Sequence, residues 1–220
     1  GSEVARRLAH EIKNPLTPIQ LSAERLQHKL AAKLQGDDAS LLNRSVATIV
    51  TQVQSMKQLV NEFRDYARLP AAKLVPLDLN ALVGEVLALY GEAIEHRRLA
   101  ADCAAALPWI VGDATQLRQV IHNLLANAED ALSGEAEPVI RVATGTEGRG
   151  ALLTVSDNGG GFPREILARA FEPYVTTKAK GTGLGLAIVK KIVDEHHGQI
   201  ELANASPRGA QVKIRLPLAA

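Results

Sequence analysis

The sequence predicts two domains: an antiparallel helical hairpin, then an α/β domain whose sheet is covered by helices. Three observations predict it. Residues 1–69 carry apolar residues at alternating steps of three and four. Glycine is nearly excluded from that stretch, since of the 17 glycines only Gly1 and Gly36 precede residue 80. Beyond residue 78, helical and strand-like periodicities alternate.

In the first helix Ala5, Ala9, Ile12, Leu16, Ile19, Ala23, Leu26 and Leu30 form an a/d heptad seam. A break follows at Gln35-Gly36-Asp37-Asp38, with Gly36 suited to a helix C′ position and Asp38 or Ser40 to the next N-cap. The seam resumes as Leu42, Val46, Ile49, Val53, Met56, Val60 and Phe63. Two helices with this little apolar volume make a poor core alone. Pairing two hairpins into a four-helix bundle buries both seams, so a homodimer is expected.

Residues 70–77 begin at Pro70, contain Pro76, and read as a linker between a hairpin of residues 1–69 and an α/β domain of residues 78–220. In that domain helical patterns fall near 78–97, 113–133 and 183–197. Strand-like runs fall near 139–144, 151–156, 199–204 and 210–216.

Composition excludes several classes. The formal net charge is +1, from 25 basic and 24 acidic side chains, which leaves no electrostatic footprint for nucleic acid. Cys103 is the single cysteine, so no internal disulfide and no cysteine-based zinc site can form within one chain. That suits a reducing compartment. No run of about 18 apolar residues is present to span a bilayer, and no signal-peptide pattern opens the chain. Gly1-Ser2 reads as a protease scar ahead of a helical pattern that starts at Glu3. The chain is therefore expected to be a cytoplasmic piece of a longer protein, without membrane contact of its own.

With Ala9 at a and Ile12 at d, His10 falls at b, Glu11 at c and Asn14 at f. These are outward positions. The pattern thus puts an imidazole in solvent with a carboxylate beside it and Asn14 one turn on. An exposed imidazole is a competent nucleophile near neutral pH. Pro15 lacks the N–H that would bond the Glu11 carbonyl, and Pro18 repeats the defect, so a bend just after His10 is expected. Taken alone, a surface histidine near a helix bend fits the same facts. His28, His96 and His122 read as helix residues with no matched partner, and His196-His197 as a helix end favourable to the dipole.

Asp113 to Ser133 reads as a helix with Asp113 at the N-cap and Gln116 completing a capping box. Its buried stripe is Leu117, Val120, Ile121, Leu124, Leu125, Ala128 and Leu132. Asn123, Asn127 and Asp130 gather on one polar stripe beside it, either solvated or offering oxygens to a hard cation such as Mg2+. Next, a β-like run delivers Asp157 into Asn158-Gly159-Gly160-Gly161, where backbone can approach a flat ring closely. A plain tight turn would need the same glycines. Gly181-Thr182-Gly183-Leu184-Gly185-Leu186 then opens a helix, whose free N–H groups suit phosphate. It is not a Walker A loop, since no Gly-Lys-Ser/Thr follows. Lys178 and Lys180 precede it as candidate phosphate cations.

These segments resemble, in order, the five motif boxes of the sensor histidine kinases. His10-Glu11-Ile12-Lys13-Asn14-Pro15-Leu16 is similar to the H-box, and Asn123 to Asp130 to the N-box. Asp157 to Gly161 resembles G1, Phe171-Glu172-Pro173-Tyr174 the F-box, and Gly181 to Leu186 G2. The longer runs after His10 and around Val175-Thr176-Thr177-Lys178 look most like the nitrogen-regulation NtrY type. The resemblance implies a dimerisation and phosphotransfer hairpin followed by a Bergerat-type ATP-binding α/β sandwich. It implies ATP and Mg2+ as cofactors, with His10 as phospho-acceptor, Glu11 as assisting base, and Asn14 as the residue that positions water for dephosphorylating the regulator. Asn127 becomes the magnesium ligand, Asn123 lies beside the phosphates, and Asp130 either supports the ligand from behind or is water-linked. Asp157 accepts from the adenine amino group over Gly159 and Gly161. The 181–185 run, with Lys178 or Lys180, covers the phosphates.

The implied partner is the receiver domain of a response regulator, for which outward Leu21 is a candidate docking contact. The implied parent protein sits in a bacterial inner membrane. The nucleotide domain is expected to swing on residues 70–77 to reach His10. Two other classes fit parts of the pattern. Gyrase- and chaperone-type ATPases share the nucleotide fold but carry Glu where Asn123 stands and lack an H-box. The other is a phosphotransfer scaffold without kinase activity that binds nucleotide as a sensor, against which intact Asn127, Asp157 and the glycines argue.

Overall fold

The computed structural model describes residues 2–173 and 184–220, and divides the chain into two compact units, the first ending at Leu69 and the second beginning at Pro70. The first unit is two antiparallel helices, α1 (Ser2–Leu30) and α2 (Gly36–Arg68). Helix α1 runs unbroken through Pro15 and Pro18, so neither proline ends it. Ala5, Ala9, Leu16 and Ala23 are buried, as are Val46 and Val53 of α2. The alternate seam residues Ile12, Ile19, Leu26, Ile49 and Met56 remain exposed.

The turn departs from the expected capping. Gly36 takes a positive φ of 59°, but at the first residue of α2 rather than as the C′ residue of α1. Gln35 stands at the N-cap, with no side-chain cap bond, so neither Asp38 nor Ser40 fills that role. Asp37 and Asp38 instead place two carboxylates in the first turn, where the helix dipole favours them.

Residues 70–77, expected as a linker, are fastened to the second unit. The Pro70 carbonyl accepts from Gln116 Nε2 at 2.7 Å, and the Lys73 N–H donates to Asp113 Oδ2 at 3.0 Å. Val75–Leu77 forms β1, paired antiparallel with β3 (Ile110–Gly112). Short length hid both strands, since three residues cannot display a period of two.

The second unit continues with α3 (Leu79–Leu87), a 3-10 turn (Ala88–Tyr90), α4 (Gly91–Glu95) and β2 (Leu99–Asp102). The continuous helix expected over 78–97 is thus broken in two. After β3 come α5 (Ala114–Ala131), β4 (Ile140–Glu147), β5 (Gly150–Asp157), α6 (Arg164–Arg169), α7 (Gly185–Glu195), β6 (Gln199–Asn204) and β7 (Ala210–Pro217). The main sheet has the order β2-β4-β5-β7-β6; β2 runs parallel to β4 and the other neighbours are antiparallel. Along β7 burial alternates without a break, with Ala210, Val212, Ile214 and Leu216 inside. Helices α3, α5 and α7 supply the facing layer through Leu79, Val83, Leu117, Ile121, Leu125, Val189 and Ile192, all nearly inaccessible. A two-layer α/β sandwich results.

Two histidines depart from expectation. His122, read as partnerless, has Nδ1 3.3 Å from the Tyr90 hydroxyl. Burial, then the nearby Glu129 charge, pushes the Tyr90 pKa up from its ordinary value. His196 does end α7, at its C-cap, but is buried, 1% exposed, and bonded at both ring nitrogens. Its Nε2 accepts from the Asp113 N–H at 3.0 Å, and Nδ1 lies 2.8 Å from the Ile192 carbonyl. The ring thus accepts at Nε2 and donates from Nδ1. It also takes the Asp113 N–H that a capping box would have given to Gln116. Only the forward half of that box forms: Asp113 Oδ1 accepts from Gln116 N–H at 3.1 Å.

Candidate functional site

The hairpin presents His10 on the outward face of α1, exposed and without a hydrogen-bond partner among the described residues. Its register explains this: buried Ala9 is the seam residue, so the next side chain turns out to solvent. The Glu11 carboxylate lies 3.6 Å from Arg7 Nε rather than on the imidazole, an exposed i,i+4 pair. Asn14 is exposed one turn beyond His10. A groove of about 710 Å3 runs past these residues, and Glu3, Arg6, Lys13, Arg64 and Arg68 also line it, so cations outnumber carboxylates. Arg64 bonds Asp65 at 3.2 Å. Such a lining favours a group that gains negative charge. Leu21 is 59% exposed on the outer face.

In the second unit three segments converge. Helix α5 is started by its Asp113 cap and held by its apolar stripe, which leaves Asn123 and Asn127 half-buried and Asp130 exposed on one side. Gly185, the first residue of α7, packs against that side. Its carbonyl accepts from Asn123 Nδ2 at 3.5 Å, and a Cβ built on Gly185 would stand 3.7 Å from Asn127 Oδ1. Leu184 is fully buried ahead of it. Helix α7 therefore opens at Gly185. Lys178, Lys180, Gly181, Thr182 and Gly183 lie outside the described residues.

The third segment is the loop after β5. Asp157 Oδ1 accepts from the Gly159 N–H at 2.9 Å and the Ala210 N–H at 3.4 Å, while Oδ2 carries no hydrogen bond among the described residues. Gly159 is required by close approach, since a Cβ there would meet the Ala131 carbonyl of α5 at 2.7 Å. Gly161 has a φ of +83°. The structure thus brings the α5 stripe, the Asp157 loop and the start of α7 together. A hard-oxygen stripe beside a helix N-terminus suits a phosphate chain with a small divalent cation.

The residues that hold this loop carry no signal of that role in the sequence. Asn158 bridges the Glu137 carbonyl at 2.8 Å and the Val139 N–H at 2.9 Å. Asn204, Arg208 and Gly209 reach it from the β6–β7 turn. Asn, Pro and Gly in residues 204–209 mark a turn by themselves. Nothing in one sequence says which loop that turn touches.

The chain matches two family models in tandem. Residues 2–72 match the His kinase A (phospho-acceptor) domain, and residues 112–220 match the histidine kinase-, DNA gyrase B- and HSP90-like ATPase. The catalytic domain of histidine kinase ThkA is 31% identical, with a TM-score of 0.59, covering 66% of this chain and 96% of that one. The chain belongs to the sensor histidine kinases. A putative NtrY-like sensor histidine kinase of Rickettsia bellii is 38% identical over 99% of this chain and 35% of that protein. The nitrogen regulation protein NtrY of Azorhizobium caulinodans is 40% identical over 100% of this chain and 29% of that protein. The chain therefore spans about a third of the curated relatives it matches. Full-length ShkA in complex with AMPPNP is 26% identical, with a TM-score of 0.72, covering all of this chain and 46% of that one. ThkA in complex with the response regulator protein TrrA is 25% identical, with a TM-score of 0.69, covering 99% and 61%.

Proposed function

We propose that the chain is a catalytic core that moves the γ-phosphoryl group of ATP onto His10 and then onto an aspartate of a response-regulator receiver domain. The observation that carries this reading is the His10 imidazole: exposed, unbonded among the described residues, and set in a groove lined by arginines and a lysine within the stretch matching the phospho-acceptor domain. In the first step a ring nitrogen of His10 forms the bond to phosphorus as the bond to the bridging oxygen breaks and ADP leaves. The groove cations stabilise the charge that arrives. Glu11 is the assisting base, released from Arg7 when it turns to the ring.

In the second unit Asp157 Oδ2 accepts from the adenine amino group, and the 181–185 run with Lys178 or Lys180 covers the phosphates. Asn123 lies beside them. Its side chain already donates to the Gly185 carbonyl, and being an amide it supplies no base to activate water, unlike the Glu of gyrase-type ATPases. Asn127 would hold Mg2+, with Asp130 linked through water. The hard side-chain oxygens there fit that ion, which keeps waters and takes few protein ligands. When bound, Mg2+ supplies positive charge to the phosphates.

Homodimerisation follows from the exposed seam column, Ile12, Ile19, Leu26, Ile49 and Met56, which a second hairpin would cover. The regulator docks on the hairpin, with Leu21 among its contacts. The parent protein is anchored in a bacterial inner membrane.

His10→Ala tests the central step. That variant is expected to bind ATP as the parent does and to take no acid-labile, base-stable label from γ-labelled ATP. Label on it would overturn the proposal. Asn14 serves the reverse reaction by positioning water on the phosphorylated regulator. Asn14→Ala is expected to keep autophosphorylation and lose dephosphorylation of a receiver domain; equal loss of both would refute the split.

A further inference from the structure

The loop of residues 158–163 carries the base-recognition end of the nucleotide site, yet contains no helix or strand. Asn158, its first residue, is tied to Glu137 and Val139, and the β6–β7 hairpin holds the rest. At the end of β6, Asn204 Oδ1 accepts from the Phe162 N–H at 2.7 Å, and Nδ2 donates to the Phe162 carbonyl at 3.0 Å. This two-point bond copies the exchange made by a hydrogen-bonded residue pair in an antiparallel sheet. In the turn, Arg208 Nε donates to the Gly159 carbonyl at 3.0 Å, and Nη2 bonds Glu135 Oε1 at 2.9 Å. Glu135 follows the C-terminal end of α5, so Arg208 ties the loop to the helix that carries Asn127.

Gly209 makes this close approach possible. Its φ is +113°, and a Cβ there would collide with the Asp157 carbonyl. The turn is closed on itself by the Ala205 N–H bonding the Gly209 carbonyl at 2.8 Å. Asp157 is therefore flanked by the β6–β7 hairpin on one side and braced loop backbone on the other.

We infer that Asn204 and Arg208 are positioning residues for nucleotide binding, which set adenine affinity without touching the base. The inference rests on the reading of Asp157 as the adenine acceptor. The physical reason is preorganisation: a loop ordered before the ligand arrives loses no further conformational freedom on binding. Because the brace acts at the base end of the site, ATP and ADP must be affected alike. The transfer step at saturating ATP is not.

Calorimetric titration of the 220-residue chain with ATP and with ADP, each with Mg2+, tests this. Asn204→Ala is expected to raise both dissociation constants by the same factor, about tenfold, and Arg208→Gln by about fivefold, the worth of one or two net hydrogen bonds. The number of sites per chain stays that of the parent. Autophosphorylation at saturating ATP stays within about twofold of the parent, well below the change in affinity. Arg208→Lys, which can keep the bond to Gly159, recovers part of the loss.

Parental dissociation constants in Asn204→Ala and Arg208→Gln would overturn the inference. So would a loss of binding-competent protein with affinity unchanged, which marks a merely structural role. Asp157→Asn separates the two levels. If it binds adenine nucleotides normally, the acceptor reading fails and the inference falls with it. If it loses binding while both brace variants keep parental affinity, only the brace is wrong.

Discussion

Helices α1 and α5 carry similar apolar periodicity and meet different fates. Along α1 burial alternates: Ala9, Leu16 and Ala23 are at most 4% exposed, while Ile12, Ile19 and Leu26 between them are 37–54% exposed. Along α5 every stripe residue from Leu117 to Leu132 is covered, none above 7%. The difference lies in how many neighbours each helix has. Among the described elements helix α1 packs on α2, which covers one column of a two-column seam. Helix α5 has α3, α7 and the sheet. Similar sequence signals therefore describe a finished core in one unit and an unfinished one in the other.

The histidines repeat the contrast. His10 is exposed and chemically available, whereas His196 is buried with both ring nitrogens engaged. In the hairpin the candidate side chain is left outside. In the second unit the candidate residues are held together by packing and hydrogen bonds.

The largest test of this contrast charges the open column. Ile19→Glu with Met56→Glu is expected to convert a dimer wholly to monomer in sedimentation equilibrium, with adenine-nucleotide binding retained. A dimer that survives both changes would show that the open column is not the interface. Next comes Ile121→Ala in the closed core, which is expected to destabilise the second unit by about 2–5 kcal/mol in denaturant unfolding. A cost below about 1 kcal/mol would mean that this core repacks easily and is less complete than it looks.

The smallest effect is at Asp113. Burial raises the pKa of its carboxyl, but backbone N–H groups of Lys73, Gln116 and Thr115 outweigh that and hold it below its ordinary value. A carboxyl with a lowered folded pKa contributes stability that is full above the unfolded pKa and is lost as pH falls through the folded one. Asp113→Ala is expected to cost about 1 kcal/mol at neutral pH, the usual worth of an N-cap. The gap between the two proteins should close as pH falls below the ordinary carboxylate range. A gap that holds in acid would assign the effect to packing rather than to the charge.

Much of the candidate site was legible because it lies on regular elements. Asn123 and Asn127 follow from helical projection of α5, and the exposure of His10 follows from the heptad register. What escaped is non-local. The bond from Pro70 to Gln116 spans 46 residues and that from Arg208 to Glu135 spans 73. Neither leaves a local pattern. The same reason hid the pairing within 70–77: its prolines suggest a spacer, and only the Ile110–Gly112 strand makes Val75–Leu77 a strand in turn.

By itself the sequence determined the two-part organisation, the outward histidine and the identity of the polar stripe, because these follow from side-chain direction along a helix and from glycine's distribution. Only the tertiary structure decided which seam column stays open, which histidine is sealed, where the chain between the units is tied down and what braces the Asp157 loop. Those outcomes rest on hydrogen bonds and steric contacts between residues far apart in the chain, and a periodic pattern carries no record of its distant partner.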